Sequence, residues 1–188
     1  MIQPYPNLET PRLILRGFTL ADAPRVQKLA GDRAIAATTA YIPHPYPDGA
    51  AETWIATHVE RWTRGEGIDL AVILKSTGEL IGACGLNINQ PHRRAEIGYW
   101  IGKPFWGQGY ATETVTAVIG YGFSLGLNRI FAEHYHTNPA SGRVLKKAGM
   151  SYEGRLRQHM IKWDEPMDME VYGILASEWE TQKRHQRG

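Results

Sequence analysis

Cysteine occurs once, at Cys84, which excludes an internal disulfide and any zinc cluster built on cysteine. No apolar run approaches the roughly 20 residues needed to span a bilayer. Neither sign of charge dominates. The 21 Lys and Arg against 19 Asp and Glu leave a net charge of +2, too small to argue for a nucleic-acid or membrane partner. The first ten residues hold two prolines and polar side chains instead of an apolar stretch. No signal peptide is therefore expected, and the cytoplasm is the default location. Repeats, low-complexity segments and linkers are also missing, which predicts one domain over residues 1–188. What is present suits a folded core: 43% of the 188 residues are hydrophobic, enough to bury one. Six Trp and nine Tyr can fill that core or line a groove.

Periodicity and punctuation divide the chain into elements. Arg12–Arg16 reads as a strand, and Thr19 and Asp22 can cap a helix to about Gly31. Pro43, Pro45 and Pro47 exclude helix and central strand from 41–47. Asp48 is expected to cap a helix through Arg64, with Trp54, Ile55, His58 and Trp62 on one face. Strands follow at 68–75, 80–89 and 93–101, the first two joined by a Ser76–Glu79 turn. A helix from Tyr110 to Leu125 ends at Gly126. Then come a strand at 129–136, a short helix from Asn138 to Ala148 stopped by Gly149, and a hairpin of 151–161 with 167–175. The order β-α-α-β-β-β-α-β-α-β-β predicts an α/β protein, antiparallel in its first half and with a crossover in the middle.

The most informative stretch is Gly98 to Thr112. A strand runs into a turn bearing Gly107 and Gly109, and a helix opens directly after. The first turn of a helix has unpaired N–H groups at the positive end of the dipole, so it can hold an anion. A Walker loop needs Lys-Ser/Thr after its last glycine, but Tyr110 follows Gly109. A dinucleotide fingerprint needs a third glycine, but position 112 is Thr. The pattern Gln/Arg-x-x-Gly-x-Gly/Ala of the GNAT acetyltransferase superfamily is met at Gly109 and Ala111, and departs at Trp106.

That departure belongs to a wider resemblance. Ala95–Ile101 followed by Phe105–Glu113 resembles the RimJ/RimL-type protein N-acetyltransferases within that superfamily. Asn138-Pro139-Ala140-Ser141, Val144–Met150 and the opening Leu8–Arg16 are similar to further blocks of that branch, in the same order. The resemblance spans about 8–175, leaving 176–188 as a C-terminal tail. It implies the GNAT fold: a mixed, mostly antiparallel seven-stranded sheet with two splayed parallel central strands and about four flanking helices. It implies acetyl-CoA as co-substrate and a primary amine as acceptor, a peptide N-terminus above all, in a monomer or homodimer that needs no metal. The pantetheine arm would pair with backbone at Tyr99, Trp100 and Ile101. The pyrophosphate would rest on the N–H groups of Gln108, Gly109, Tyr110, Ala111 and Thr112. Asn138 would bind the arm or cap its helix.

Acetyl transfer needs a neutral amine and a proton for the departing thiolate. A lysine-type amine is neutral in about one molecule in a thousand at about pH 7.4, an α-amine in about a quarter, so an α-amine asks less of a base. Candidate bases are Glu133 and Glu96, one on each strand expected to splay. Glu133 stands five residues before Asn138, where the resemblance to RimI-type enzymes implies a base. Ser141 occupies the place of the thiolate-protonating serine implied by RimL-type enzymes. The glutamate that those enzymes carry seven residues past a Glu-Gly pair corresponds to Met160, and the tyrosine acid of RimI-type enzymes to Leu145, so the catalytic set does not transfer whole. His134 and His136 have ligand-like spacing but lack companions for zinc, and His134 is expected to pack beneath a helix. The acceptor end would be shaped by Tyr41–Tyr46, the helix with Trp54 and Trp62, and Trp163. Two other readings remain at this level. One is acetylation of a small amine, amino acid or antibiotic. The other is an acyl-CoA-binding module without catalysis, which the residue Met160 would suit. A nucleotide-binding oxidoreductase is disfavoured by the missing third glycine.

Overall fold

The computed structural model describes residues 4–187. β1 (Leu8–Glu9) and β2 (Leu13–Gly17) lead through a 3-10 turn at Leu20–Asp22 into α1 (Ala23–Ala30) and α2 (Arg33–Ala36). After an irregular stretch come α3 (Ala50–Ala56) and α4 (His58–Thr63), then β3 (Gly67–Leu74), β4 (Leu80–Asn89) and β5 (Arg94–Ile101). α5 (Tyr110–Ser124), β6 (Arg129–Tyr135), α6 (Pro139–Lys147), β7 (Ser151–Lys162), β8 (Glu165–Leu175) and α7 (Ala176–Arg187) complete the order. The strands form one sheet in the order β1-β2-β3-β4-β5-β6-β8-β7. Every neighbouring pair is antiparallel except β5 with β6.

Each sheet face is covered by helices whose apolar stripes fit it. On one face, α5 buries Val115, Val118 and Ile119, α6 buries Leu145, and α7 buries Trp179 against Leu70, Leu86, Ile97 and Ile130. On the other, Ala23, Val26 and Leu29 of α1 and Ala51 and Ile55 of α3 pack on Ala71, Ile73 and Leu80. The central strands β3 and β4 are buried on both faces and read as near-continuous apolar runs.

Four expectations are corrected. The sheet has eight strands instead of seven, because Leu8 and Glu9 pair with Leu15 and Ile14. A two-residue strand that ends before Pro11 has no period to detect. The helix expected over 48–64 is two helices that break at Thr57, whose hydroxyl donates to the carbonyl of Trp54 at 2.8 Å and competes with the helical ladder. Its cap is Gly49, in the left-handed region at φ 77°, and not Asp48, whose carboxylate accepts from Gln27 at 2.7 Å. Finally, 176–187 is a helix docked on the core: Trp179 is 8% exposed and sits 6.1 Å from Phe123, centroid to centroid.

The last point has a measurable consequence. If α7 is part of the core, Trp179→Ala will cost about 3 kcal/mol through lost burial and the cavity left behind. For a domain of this size that lowers Tm by about 6–12 °C. A calorimetric shift within about 1 °C would return the segment to a loosely attached tail.

Candidate active site

The parallel pair at the sheet centre is short. β5 and β6 match only at Arg94–Arg129, Ala95–Ile130 and Glu96–Phe131, although β5 continues to Ile101 and β6 to Tyr135. Past Glu96 the strands diverge and leave a fork inside the sheet. Backbone parity states what faces it, since alternate residues of a strand direct N–H and C=O to opposite sides. Arg93 C=O accepts from Asn128 on the β6 side (2.6 Å), whereas Gly102 N–H donates to Ile81 on the β4 side (2.8 Å). Odd-numbered residues of β5 thus turn to the fork and even-numbered ones to β4. Tyr99 offers the fork both N–H and C=O, and Ile101 its N–H. The Ile101 carbonyl is taken by the indole N–H of Trp106. On β6, His136 N–H reaches Asp168 of the β8 side (3.0 Å), so Glu133 turns its backbone to the fork. Trp100 directs its backbone to β4 and its side chain to the α1/α3 face, so it contributes no backbone group to the fork.

At the head of the fork lies the Gly-rich turn. Gly107 and Gly109 adopt φ 74° and 82°, a conformation that disfavours any Cβ. Gly109 caps α5, so the free N–H groups of the first turn begin there. A Cβ on Gly107 or Gly98 would meet nothing within 4 Å, so open space borders both the turn and the fork.

Two pairs of titratable groups flank the fork on opposite faces. On the α5/α6 face, the hydroxyls of Tyr99 and Ser141 are 2.7 Å apart, which links β5 to α6 across the gap. Burial raises the Tyr99 hydroxyl far above its usual range, so it stays protonated. Asn138 holds Ser141 in place: its Oδ1 accepts from Ser141 N–H at 3.3 Å as the cap of α6, and its own N–H donates to Tyr135 C=O at 2.8 Å. On the other face, strand alternation puts Glu96 and Glu133 together. Burial, and then the charge of Glu133, raise the Glu96 carboxyl above its ordinary range.

The remaining expected residues are more dispersed. His134 is buried beneath α6, with Nε2 2.9 Å from where a Cβ on Gly142 would stand, and its ring stacks on Tyr172 at 5.6 Å. Leu145 is fully buried core, and Met160 pairs with Met167 in the β7–β8 hairpin. Trp54 lies edge-on to Phe18 and His58, and Trp62 stands beside Tyr5, so both are spent on packing. Tyr41, 81% exposed, and Trp163, 45% exposed, stand beside the point where the β7–β8 turn is tied to residues 39–42. There Lys162 Nζ donates to Thr39 C=O (2.9 Å) and Ile42 C=O (3.2 Å), and Arg33 lies over the Trp163 ring. Sequence reasoning missed the Tyr99 hydroxyl and Arg12, which grips the Gly-rich turn from just before β2. A contact that joins positions 42 or 96 residues apart leaves no trace in local spacing.

A model of the acetyltransferase (GNAT) domain matches residues 12–151. The chain belongs to the GNAT acetyltransferase family. It is similar to an uncharacterized N-acetyltransferase of Bacillus subtilis (strain 168), YoaA, with 39% identity over 91% of this chain and 97% of that protein. The ribosomal-protein-serine acetyltransferase of Escherichia coli (strain K12) shares 34% identity over 52% of this chain and 55% of its own length. Among solved structures, RimL, a ribosomal L7/L12 alpha-N-protein acetyltransferase in complex with coenzyme A, superposes with a TM-score of 0.83. Its identity is 18%, over 90% of this chain and 98% of that one. The protein is an N-acetyltransferase of the GNAT fold with RimJ/RimL-type relatives. The fork and the left-handed glycine turn fit a long thioester carrier: one supplies unpaired backbone groups along an extended edge, the other an unobstructed anion cradle.

The two carboxylates carry a cost that can be measured. A carboxyl whose folded pKa is raised contributes stability below its unfolded pKa, about 4.3, and loses it as pH rises through the folded value. Glu96→Gln removes that cost. The variant is expected to melt above the parent at pH 7.5 and level with it near pH 4. A lower Tm at pH 7.5 would mean that Glu96 is paired and not strained.

Proposed function

We propose that this N-acetyltransferase moves an acetyl group from acetyl-CoA to a primary amine, and that its acceptor is the α-amine of a peptide or protein N-terminus. The carrying observation is the placement of groups about the fork. A proton donor pair, Tyr99 and Ser141, lies on one face of the sheet, a carboxylate pair lies on the other, and the fork joins the two faces. An α-amine asks little of a base, because its own pKa leaves much of it neutral. The name of the Escherichia coli ribosomal-protein-serine acetyltransferase supports the same acceptor class.

Acetyl-CoA, when bound, supplies the thioester that the amine attacks. Tyr99 and Ile101 would hold the pantetheine arm by the backbone groups that face the fork. The N–H groups of Gln108, Gly109, Tyr110, Ala111 and Thr112 would hold the pyrophosphate. Glu133 stands two residues past the last paired position, further into the fork than Glu96, and takes the proton of the attacking amine. Glu96 keeps that region acidic and attracts the ammonium form. Ser141 donates its proton to the sulfur as the carbon–sulfur bond breaks and regains one from solvent after the products leave, while the Tyr99 hydroxyl holds the Ser141 hydroxyl in place. Asn138 acts through the cap that fixes Ser141.

Matched peptides, one with a free N-terminus and one blocked but bearing lysine, test this proposal in a thiol-release assay across pH. The free N-terminus is expected to be preferred, with kcat/KM rising and levelling near pH 8, the pKa of the amine. Ser141→Ala should lower kcat about 10²–10⁴-fold with little change in acetyl-CoA affinity, and Glu133→Gln about 10²-fold. Preference for the blocked peptide, with a rate still climbing above pH 9, would assign the acceptor to lysine side chains. Near-normal turnover in both variants would remove the proposed acid and base.

A further inference from the structure

The Gly-rich turn carries no cation of its own between Trp106 and Thr112. Trp106, where the superfamily pattern has Gln or Arg, is turned away from the turn and bound to the Ile101 carbonyl. A cation reaches the turn from the residue just before β2 instead. Arg12 Nη1 donates to the carbonyl of Gln108 at 2.9 Å. Its Nε donates to Glu113 Oε2 at 2.7 Å, and its backbone N–H to Glu113 Oε1 at 2.9 Å. Thr10 Oγ1 donates to the same Oε1 at 2.6 Å, and the guanidinium lies 4.6 Å over the Tyr110 ring. Burial acts to raise the Glu113 carboxyl, but the bonds from Thr10 and Arg12 hold it below its ordinary range, so the ion pair persists at neutral pH. The third nitrogen, Nη2, has no hydrogen-bond partner among the described residues. It lies 3.4 Å from where a Cβ on Gly109 would stand.

A trans peptide unit is planar, with its C=O and N–H directed oppositely. Pulling the Gln108 carbonyl toward Arg12 therefore turns the Gly109 N–H away from it, toward the open side of the turn. The left-handed φ of Gly109 then starts α5, whose first N–H groups follow. We propose that Arg12 is a positioning residue for the phosphates of the acetyl donor: it fixes the Gln108–Gly109 peptide so that Gly109 presents its N–H to the pyrophosphate, and it supplies the positive charge that the turn's own sequence lacks. This rests on the reading that the turn holds a pyrophosphate. A planar guanidinium can grip a carboxylate and a carbonyl together, which a lysine ammonium on its flexible stem cannot do in the same geometry.

The test is calorimetric titration of acetyl-CoA into Arg12→Met, Arg12→Lys and Gly109→Val, with the Tm of each free protein measured alongside. Arg12→Met is expected to raise the acetyl-CoA Kd about tenfold or more, with kcat at saturating acetyl-CoA and the acceptor KM unchanged. Arg12→Lys keeps the charge but not the double grip, and is expected to remain at least about threefold weaker than the parent. It also serves if the methionine variant fails to fold. A purely structural brace would lower Tm and leave Kd alone, and that result in either Arg12 variant overturns the inference. Full affinity in Arg12→Lys would leave charge without positioning, and overturns it too. Gly109→Val separates the two levels: if its affinity is lost while Arg12→Met binds normally, only the Arg12 inference fails. If folded Gly109→Val binds normally, the pyrophosphate reading fails with it.

Discussion

Three matched residue pairs between β5 and β6, and then none, are the constraint on which the rest of the architecture turns. A sheet interior normally pairs every N–H and C=O, because an unmade hydrogen bond away from water is costly. Here the ladder stops at Glu96 and Phe131 while both strands run on. The divergence persists because each strand is held from its outer side. β5 is zipped to β4 over eight residues and β6 to β8 over seven. The unpaired inner edges are thereby fixed in advance and available to an extended ligand. Preorganisation of this kind lowers the ordering cost of binding.

The fork also resolves a geometric problem of acyl transfer between a thiol and an amine. The departing sulfur requires a proton while the attacking nitrogen must lose one, and a hydroxyl hydrogen-bonded to the carboxylate base would be less free to donate to the sulfur. In the proposed mechanism the sheet separates them. On the α5/α6 face, Tyr99 of β5 meets Ser141 of α6, and burial keeps the phenol protonated. Glu96 and Glu133 sit on the opposite face, where burial and mutual repulsion make Glu96 more basic than a free carboxylate. A carboxyl raised in this way costs the fold stability at neutral pH.

Much of this was legible in the chain. Strand and helix periods located β2 to β8, and left-handed glycine punctuation at positions 78, 109, 126 and 149 marked the turns and helix ends. The failures have physical causes. β1 is too short to show a period. Thr57 breaks a helix through one side-chain hydrogen bond that competes with the ladder. α7 is polar over most of its length and docks through Trp179 together with Gln182, whose Nε2 donates to Gly149 C=O at 3.0 Å. Within the site, spacing located the turn and both carboxylates. It could not tell that Trp100 turns its backbone to β4, since parity depends on which neighbour each strand acquires. It could not foresee that Tyr99 meets Ser141 or that Arg12 grips Gln108, because tertiary packing alone brings those pairs together.

The central claim is that the odd-numbered backbone groups of β5 past Glu96 form an open edge that the acetyl donor closes. Residue-resolved amide hydrogen exchange tests it most directly. In the free protein the N–H groups of Tyr99 and Ile101 should exchange quickly, while those of Gly98 and Trp100, bonded to β4, should be protected. Acetyl-CoA should slow Tyr99 and Ile101, together with Gly109 and its neighbours, and leave Gly98 and Trp100 as they were. Equal protection of odd and even residues in the free protein, or a donor-induced change that bypasses this edge, would contradict the account.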